Sequence, residues 1–471
     1  MSRSRARLLC GTAELAVESA RAAEEIALAA DPLVLDDPID GACTALGRGE
    51  RVAVAILGAP SAAELLRLGT AARNAGTTGF VALVGSTEEP VPRRDPRDEP
   101  GRAEAADLAA DLGLVAVDEV RPLVTALAVD DAPGPVATAA LRGLSELDRA
   151  RLFGSVQPAG TGGRLVPLDG GRVAWLERGD ARPHPLGRAE DLARALRAFR
   201  RRLEGPWAER PEVPGLDPTA VEDVLLGPPR GLSDPASKAA LAPYGVPLPD
   251  EELCGSPSRA AAEAGRLGFP VRMSLASPDL RLWDHPDLVL ERVDSASRAK
   301  EGFRQLTALA RLRSPEARVL GVTVTAAQEC HARMAVRARS LAPGRVVATA
   351  GFDDPHGAAA GDLTWMALPV ASSRLRDVLR HRLRGGALLT GQQGPDAVAE
   401  LADLLVRLAA FVDDRRDEVD RVELRPVTVL MDGSVEVREA RVTVGDAYER
   451  RLRRRALGTR RGDASASGSQ G

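Results

Sequence analysis

The residues of this chain that could hold a metal or carry a phosphoryl group are few and scattered. The sequence GFDDPHG brings Asp353, Asp354 and His356 close together. Two carboxylates and an imidazole could bind a metal ion, but the neighbouring Gly and Pro fit an ordinary turn equally well. His285 and His331 stand alone beside Pro, Asp or Ala. Isolated histidines of this kind indicate surface or structural positions more often than ligands.

Neither the cysteines nor the basic tail indicates a site. Cys10, Cys43, Cys254 and Cys330 are widely spaced, which argues against a zinc site or a disulfide framework and favours a reducing compartment. The arginines from Arg450 onward lack interleaved aromatic residues, so stacking on RNA bases is not indicated. We expect a solvated helix end followed by disordered final residues.

The composition limits the classes of protein to which this chain can belong. At 471 residues and 49.6 kDa the chain is long enough for several domains. With 44% hydrophobic and 28% charged residues it has the balance of a soluble globular protein. The formal net charge of −4 gives no general attraction to nucleic acid or an anionic membrane. No segment has the pattern of a signal peptide or membrane span, so we expect a cytoplasmic protein.

The N-terminal region alternates apolar strands with helices, which predicts a parallel sheet with crossover helices. A charged, Pro-rich surface loop is predicted at 88–101. The predicted strands are 51–57, 80–84 and 114–117, and the predicted helices are 12–30, 61–74 and 102–112.

Beyond residue 131 the sequence pattern of helices and strands is hard to interpret, and it becomes clear again in the C-terminal region. The middle region contains one clear amphipathic helix, predicted at 190–203. The C-terminal region predicts helices at 237–242, 257–267 and 395–412, strands near 270, 289 and 320, and a hairpin at 427–437. We therefore divide the chain into 1–131, an unassigned region 132–215, a third domain 216–449 and a basic, disordered tail 450–471.

Several phrases of the C-terminal region stand in an informative order. They are SKAALAPYGVPLPD, SPSRAAAEAGRLGFPV, SPDL, DSASRAKEGFRQL, SPEARVLGVTV and VELRPVTVL. Together they resemble the ATP-grasp domain of the ADP-forming acetate/acyl-CoA synthetases, the acetate-CoA ligase type. Residues 50–127 resemble the succinyl-CoA-synthetase-like flavodoxin domain of that family. The resemblance implies an α/β fold in which a flavodoxin-like parallel-sheet domain precedes an ATP-grasp-like α+β module.

The resemblance also implies where ATP phosphates would lie, and the residues there are altered. The family lysine that neutralises phosphate is replaced by Ser274, and Arg272 is at best a displaced substitute on the same strand face. After SPDL the family has a histidine and small glycines, whereas this chain has Pro286 and Asp287. A carboxylate at a phosphate position would repel the ligand.

The remaining nucleotide and metal positions are altered as well. The family's adenine-contacting Gln-Glu is replaced by Thr325 and Ala326, and a later acidic position by Arg333. The resemblance places magnesium near Glu423 and Glu439. An Asn in that site is replaced by Arg425, which would compete with the ion for the same carboxylates. Glu439 could instead form a structural ion pair with Arg441.

These substitutions predict a family member without catalytic residues, in which ATP and magnesium binding are doubtful. It would act as a regulatory or scaffold homologue, through a protein partner or as a homo-oligomer. Two alternatives remain open: an active or repurposed ATP-dependent acyl-CoA ligase, and a subunit that senses nucleotide or acyl-CoA without turnover. Binding to membranes or nucleic acid is not expected.

Overall fold

The computed structural model describes residues 6–85, 99–131, 163–168, 172–177, 184–204, 211–213, 215–353, 362–391 and 394–445. Most of the predicted loop 88–101, the first part of the unassigned region and the basic tail lie outside these residues, as do Asp354 and His356. The chain divides into two compact units, residues 1–207 with 365–367, and residues 208–364 with 368–471.

The first unit contains a five-stranded parallel sheet in the order β2-β1-β3-β4-β5, the doubly wound order of flavodoxin-like folds. Its strands are β1 (Ala6–Cys10), β2 (Ala30–Val34), β3 (Val52–Leu57), β4 (Gly79–Val84) and β5 (Leu114–Val117). Its helices are α1 (Ala13–Glu25), α2 (Pro38–Gly47), α3 (Ala62–Asn74), α4 (Arg102–Asp111) and α5 (Val120–Asp131).

Helix starts in this unit follow from the sequence. Ser61 caps α3, and its hydroxyl and backbone amide exchange hydrogen bonds with Glu64 in a capping box. Thr12 caps α1 by accepting from the amide of Leu15. The predicted helix at 12–30 is wrong at its C-terminal end, because α1 ends at Glu25 and β2 begins at Ala30. Strands β1 and β2 and helix α2 were not predicted.

The described part of the first unit also contains a three-stranded antiparallel sheet and one more helix. The strands are β6 (Gly163–Leu168), β7 (Arg172–Glu177) and β8 (His184–Arg188), in that order. Helix α6 (Ala189–Glu204) confirms the helix predicted at 190–203 and packs against α4, α5 and β5. Its Leu192, Leu196 and Phe199 join the core beneath the parallel sheet.

The second unit begins with short helices and a four-stranded antiparallel sheet. Helices α7 (Glu222–Leu225) and α8 (Asp234–Leu241) precede the sheet, whose order is β10-β13-β11-β12. Helices α9 (Pro257–Leu267) and α10 (Ala296–Arg313) pack on one face of it. The strands are β10 (Glu251–Cys254), β11 (Val271–Ala276), β12 (Val289–Val293) and β13 (Gly321–Ala326).

The described residues also form a seven-stranded sheet, in the order β16-β15-β14-β17-β19-β9 with β18 beside β17. Helices α11 (Ser372–His381) and α12 (Val398–Asp414) pack together. The strands are β9 (Arg230–Gly231), β14 (Cys330–Ala342), β15 (Arg345–Phe352), β16 (Leu363–Leu368), β17 (Val419–Leu430), β18 (Val435–Val437) and β19 (Ala440–Val444).

The parallel sheet of the first unit and the antiparallel sheets of the second confirm the predicted fold class, a parallel-sheet α/β domain followed by an α+β module. Within the described residues no helix combines the length and the apolar character needed to cross a bilayer.

Candidate functional site

The four-stranded sheet of the second unit has one apolar and one polar face. Side chains alternate between faces along a strand, so Val271, Met273 and Leu275 of β11 join the core beneath α9 and α10. Arg272 and Ser274 therefore lie on the opposite face. Across the sheet Arg272 stands beside Thr325 of β13. This polar face carries the residues that the sequence assigned to the phosphate end of a nucleotide site.

Arg272 is buried and joined to two carboxylates. Its Nη2 donates to Glu439, which follows β18 in the other sheet of this unit, and its Nε lies 3.1 Å from Glu291 of β12. The side chains of Arg272 and Glu439 are only 6% and 5% exposed. Burial raises the pKa of Glu439 to about 7, even though the guanidinium of Arg272 opposes this rise. The predicted pair of Glu439 with Arg441 is wrong, since Arg441 donates to the carbonyl of Pro278 at 3.1 Å.

Lys238 of α8 forms a second buried centre of charge. Its Nζ lies 2.9 Å from Asp234, 2.6 Å from Glu251 and 2.7 Å from the carbonyl of Arg438. Asp234 in turn accepts from the amide of Ala440 at 2.7 Å. Burial raises the pKa of Glu251 to about 7 against the effect of Lys238. Lys238 therefore ties α8, the four-stranded sheet and the seven-stranded sheet together.

The second carboxylate of the predicted magnesium site is also paired. Glu423 of β17 accepts from Arg337 of β14 at 2.6 Å, and the side chain of Glu423 is 9% exposed. The expected competition from Arg425 is wrong in detail, because Arg425 donates to Asp353 at 2.6 Å. Arg272 and Arg337 instead occupy the two carboxylates that the resemblance assigned to magnesium.

A small cavity lies beside Arg272 and Glu291. Its volume is about 30 Å³, whereas pockets that bind drug-sized molecules have roughly 300–1,000 Å³. Its polar lining comes from both sheets, with Arg272, Glu291, Gln328, Arg333, Thr428 and Arg438 around it. It has room for water but not for a nucleotide in this conformation.

Of the residues that the sequence singled out, Arg272 and Arg333 line this cavity together. Glu291 also lines the cavity. Its second carboxylate oxygen accepts from Arg333 at 3.3 Å. Ala326 is not part of the lining, but its carbonyl accepts from the lining residue Arg438 at 3.1 Å. Ser274 is buried on β11. It cannot supply the positive charge that a lysine at its position would carry.

Thr325 and Asp287 form their contacts away from this cavity. The hydroxyl of Thr325 donates to the carbonyl of Asp250 at 3.1 Å. Asp287 lies 2.7 Å from Arg313 of α10, so its negative charge is compensated by a neighbouring cation. His331 is hydrogen-bonded to the carbonyl of Leu388 at 3.0 Å. Among the described residues no group of His, Cys, Asp and Glu has the arrangement of a metal site.

Three important residues were not recognised from the sequence: Lys238, Glu291 and Arg438. Lys238 had a usable signal, since almost all basic residues of the chain are arginine and a retained lysine is unusual. Glu291 and Arg438 had none, because their partners belong to distant segments of the chain.

The carboxylates and cavity lining lie within the range that a family model matches. The model is that of the ATP-grasp domain, and the match covers residues 223–444. The β subunit of the ADP-forming acetate–CoA ligase II of Pyrococcus furiosus is 26% identical over 228 residues, 45% of this chain and 91% of that subunit. The β subunit of ligase I from the same organism is 23% identical, over 44% of this chain and 90% of that subunit.

Solved structures also match this chain in part. A protein from Pyrococcus horikoshii aligns with a TM-score of 0.44 and 21% identity over 48% of this chain and 96% of its own. The dinucleotide-forming acetyl-coenzyme A synthetase 1 of Korarchaeum cryptofilum, in complex with coenzyme A and Ca-AMPCP, aligns at 0.42 and 19% over 46% of this chain and 94% of its own. Residues 223–444 are thus an ATP-grasp domain, and the chain is homologous in this part to β subunits of ADP-forming acetate–CoA ligases.

Proposed function

We propose that this chain is a catalytically degenerate homologue of the ADP-forming acetate–CoA ligases, acting as a regulatory or scaffold protein. The observation that carries the proposal is the pairing of Glu439 with Arg272 and of Glu423 with Arg337. Each carboxylate that could bind magnesium already holds a guanidinium.

The energy of these pairs works against metal and nucleotide binding. A magnesium ion would have to displace a buried guanidinium, and breaking a buried ion pair costs roughly 3–5 kcal/mol. The released Arg272 would then need another anion. ATP phosphates could serve as that anion, but Ser274 offers them no charge and the cavity of about 30 Å³ offers no room. The residues present therefore do not fit MgATP.

Calorimetric titration of the whole chain with ATP and ADP, each with and without magnesium, tests this proposal. We expect no magnesium-dependent heat up to about 1 mM nucleotide, a concentration that still detects weak sites. An acetate–CoA ligase assay should give no ADP. Micromolar, magnesium-dependent binding would contradict the proposal and favour an active ligase.

A protein partner is part of the same proposal. The relatives are named as β subunits, so the partner would be a second subunit or another copy of this chain. Light scattering of the purified chain distinguishes these cases. A monomer that recruits no ligase α subunit on mixing would contradict the scaffold role.

A second candidate is a sensor that binds an anion without turnover, and the three arginines around the cavity favour it. Arg333 tests this candidate best, because its side chain is 45% exposed and its loss should leave the fold intact. If ADP or acetyl-CoA binds, Arg333→Ala should weaken that binding about tenfold, whereas Arg292→Ala, on the exposed side of β12, should not.

A further inference from the structure

A larger cavity lies in the first unit, where β4 and β5 end. Its volume is about 390 Å³, and we call it the β4–β5 cavity. Its charged lining consists of Arg102, Arg194, Arg197, Arg201, Asp107 and Asp118. We propose that it binds a small phosphate monoester whose uncharged part has the size of a nucleoside.

The lining of the β4–β5 cavity carries more positive than negative charges. Arg194 lies 2.6 Å from Glu119, and Arg201 lies 3.7 Å from Asp107. Arg102 and Arg197 have no carboxylate partner among the described residues, and both are exposed. A guanidinium carries a planar fork of donors that matches two oxygens of a phosphate. Two such forks on one cavity favour a dianionic ligand.

The position in the fold adds to this preference. Leu83 and Val117 line the cavity at the carboxyl ends of the parallel strands β4 and β5. Ligands of open α/β sheets bind at this edge, although the topological switch point of this sheet lies between β1 and β3. Helix α4 begins at Arg102, beside the same edge. The positive end of its dipole reinforces the attraction for an anion.

The rest of the lining is apolar and suits the uncharged part of the ligand. Leu83, Ala116, Val117 and Ala198 are buried or nearly so at the cavity wall. A volume of about 390 Å³ falls in the range of small-molecule sites, which combine an apolar lining with a few polar groups. Inorganic phosphate alone would leave this wall uncovered.

Calorimetric titration of the full chain with AMP, adenosine and inorganic phosphate tests the proposal. We expect AMP to bind with a submillimolar dissociation constant, and adenosine and phosphate each to bind at least about tenfold more weakly. The double variant Arg102→Ala/Arg197→Ala should lose at least about tenfold in AMP affinity. The charge-matched control Arg21→Ala/Arg48→Ala removes two exposed arginines from other surfaces and should bind AMP like the parent.

Three outcomes would overturn the proposal. The first is no AMP binding to the parent at about 5 mM. The second is equal AMP affinity of the parent and Arg102→Ala/Arg197→Ala. This result would mean that AMP binds elsewhere, and it would contradict the proposal that the ATP-grasp domain binds no nucleotide. The third is phosphate binding as tightly as AMP, which would remove the role of the apolar wall.

Discussion

We call the buried charged groups around Arg272 and Lys238 the ATP-grasp cleft. The cleft and the β4–β5 cavity both contain arginines, but the arginines differ in burial and in pairing with carboxylates. In the cleft, Arg272 is buried against Glu439 and Glu291, and Lys238 is buried against Asp234 and Glu251. In the cavity, Arg102 and Arg197 are exposed and lack carboxylate partners among the described residues. A cation with a built-in partner stabilises the fold, whereas a cation without one remains available to a ligand.

The two regions therefore differ in what their cations do. In the ATP-grasp domain Arg272 and Lys238 are paired with buried carboxylates, whereas Arg102 and Arg197 have no carboxylate partner among the described residues. Substitutions that remove one cation at a time should therefore affect stability strongly in the cleft and weakly at the cavity.

The largest effect is expected for Lys238→Met. Without the ammonium, Asp234 and Glu251 remain buried and lose the cation that bonds to both of them, and the carbonyl of Arg438 loses its donor. Breaking a buried ion pair in this way costs about 3–5 kcal/mol. Urea unfolding followed by circular dichroism should show this loss, while Lys300→Met, at an exposed position of α10, should stay within about 0.5 kcal/mol. Equal stabilities of the two variants would show that the buried network contributes nothing.

The next effect concerns the pair of Arg272 with Glu439. Arg272→Met should lower the free energy of unfolding by about 3 kcal/mol, because Glu439 stays buried without its guanidinium. The double variant Arg272→Met/Glu439→Met should recover most of this loss, since it removes both buried charges. Urea midpoints of the three proteins measure the coupling. A double variant less stable than the single one would mean that the pair is not the source of the loss.

A third effect is a pH dependence confined to the cleft. The pKa of Glu439 is raised from 4.5 to about 7, so the folded state binds a proton that the unfolded state has lost. The stabilisation from this proton is fully present below pH 4.5 and is lost as the pH rises through about 7. Relative to Glu439→Gln, which cannot titrate, the parent should lose about 2 kcal/mol between about pH 5 and 8. A difference that grows with pH would show that the carboxylate stays charged in the fold.

The sequence predicted the parallel sheet best where a whole strand is a buried apolar run. The run VAVAIL became β3, with five of its six residues buried, and the cap at Ser61 started α3 as expected. Strand β2 was missed because it is largely exposed: only Ala30 and Pro32 are even partly buried. An exposed strand leaves no hydrophobic pattern in the sequence, and the preceding helical pattern was extended to its first residue. Position within the sheet was not decisive, since the edge strand β5 was predicted and β1, which lies between β2 and β3, was missed.

The sequence proposed the residues of the candidate site but not how they pair. The resemblance assigned Arg272 to a phosphate position and Glu423 and Glu439 to magnesium. It could not reveal that Arg272 bonds to Glu439, because 167 positions separate them and nothing local marks either as the partner of the other. The arginine that was expected at the magnesium carboxylates, Arg425, lies on Asp353 instead. Such pairings depend on how two sheets face each other, which local periodicity does not encode.

The smallest effect is expected at the β4–β5 cavity, and it completes the comparison. Arg102→Ala/Arg197→Ala should change the free energy of unfolding by no more than about 0.5 kcal/mol, because both side chains are exposed and neither forms an ion pair with another described residue. The change should even be slightly stabilising: Arg102 places a positive charge in the first turn of α4, where the helix dipole opposes it. Alanine is also the better helix former at position 197. The same urea experiment that detects the loss in Arg272→Met measures this variant. A loss of several kcal/mol here would mean that these arginines are held by partners within the fold, and the contrast between a neutralised cleft and an available cavity would no longer hold.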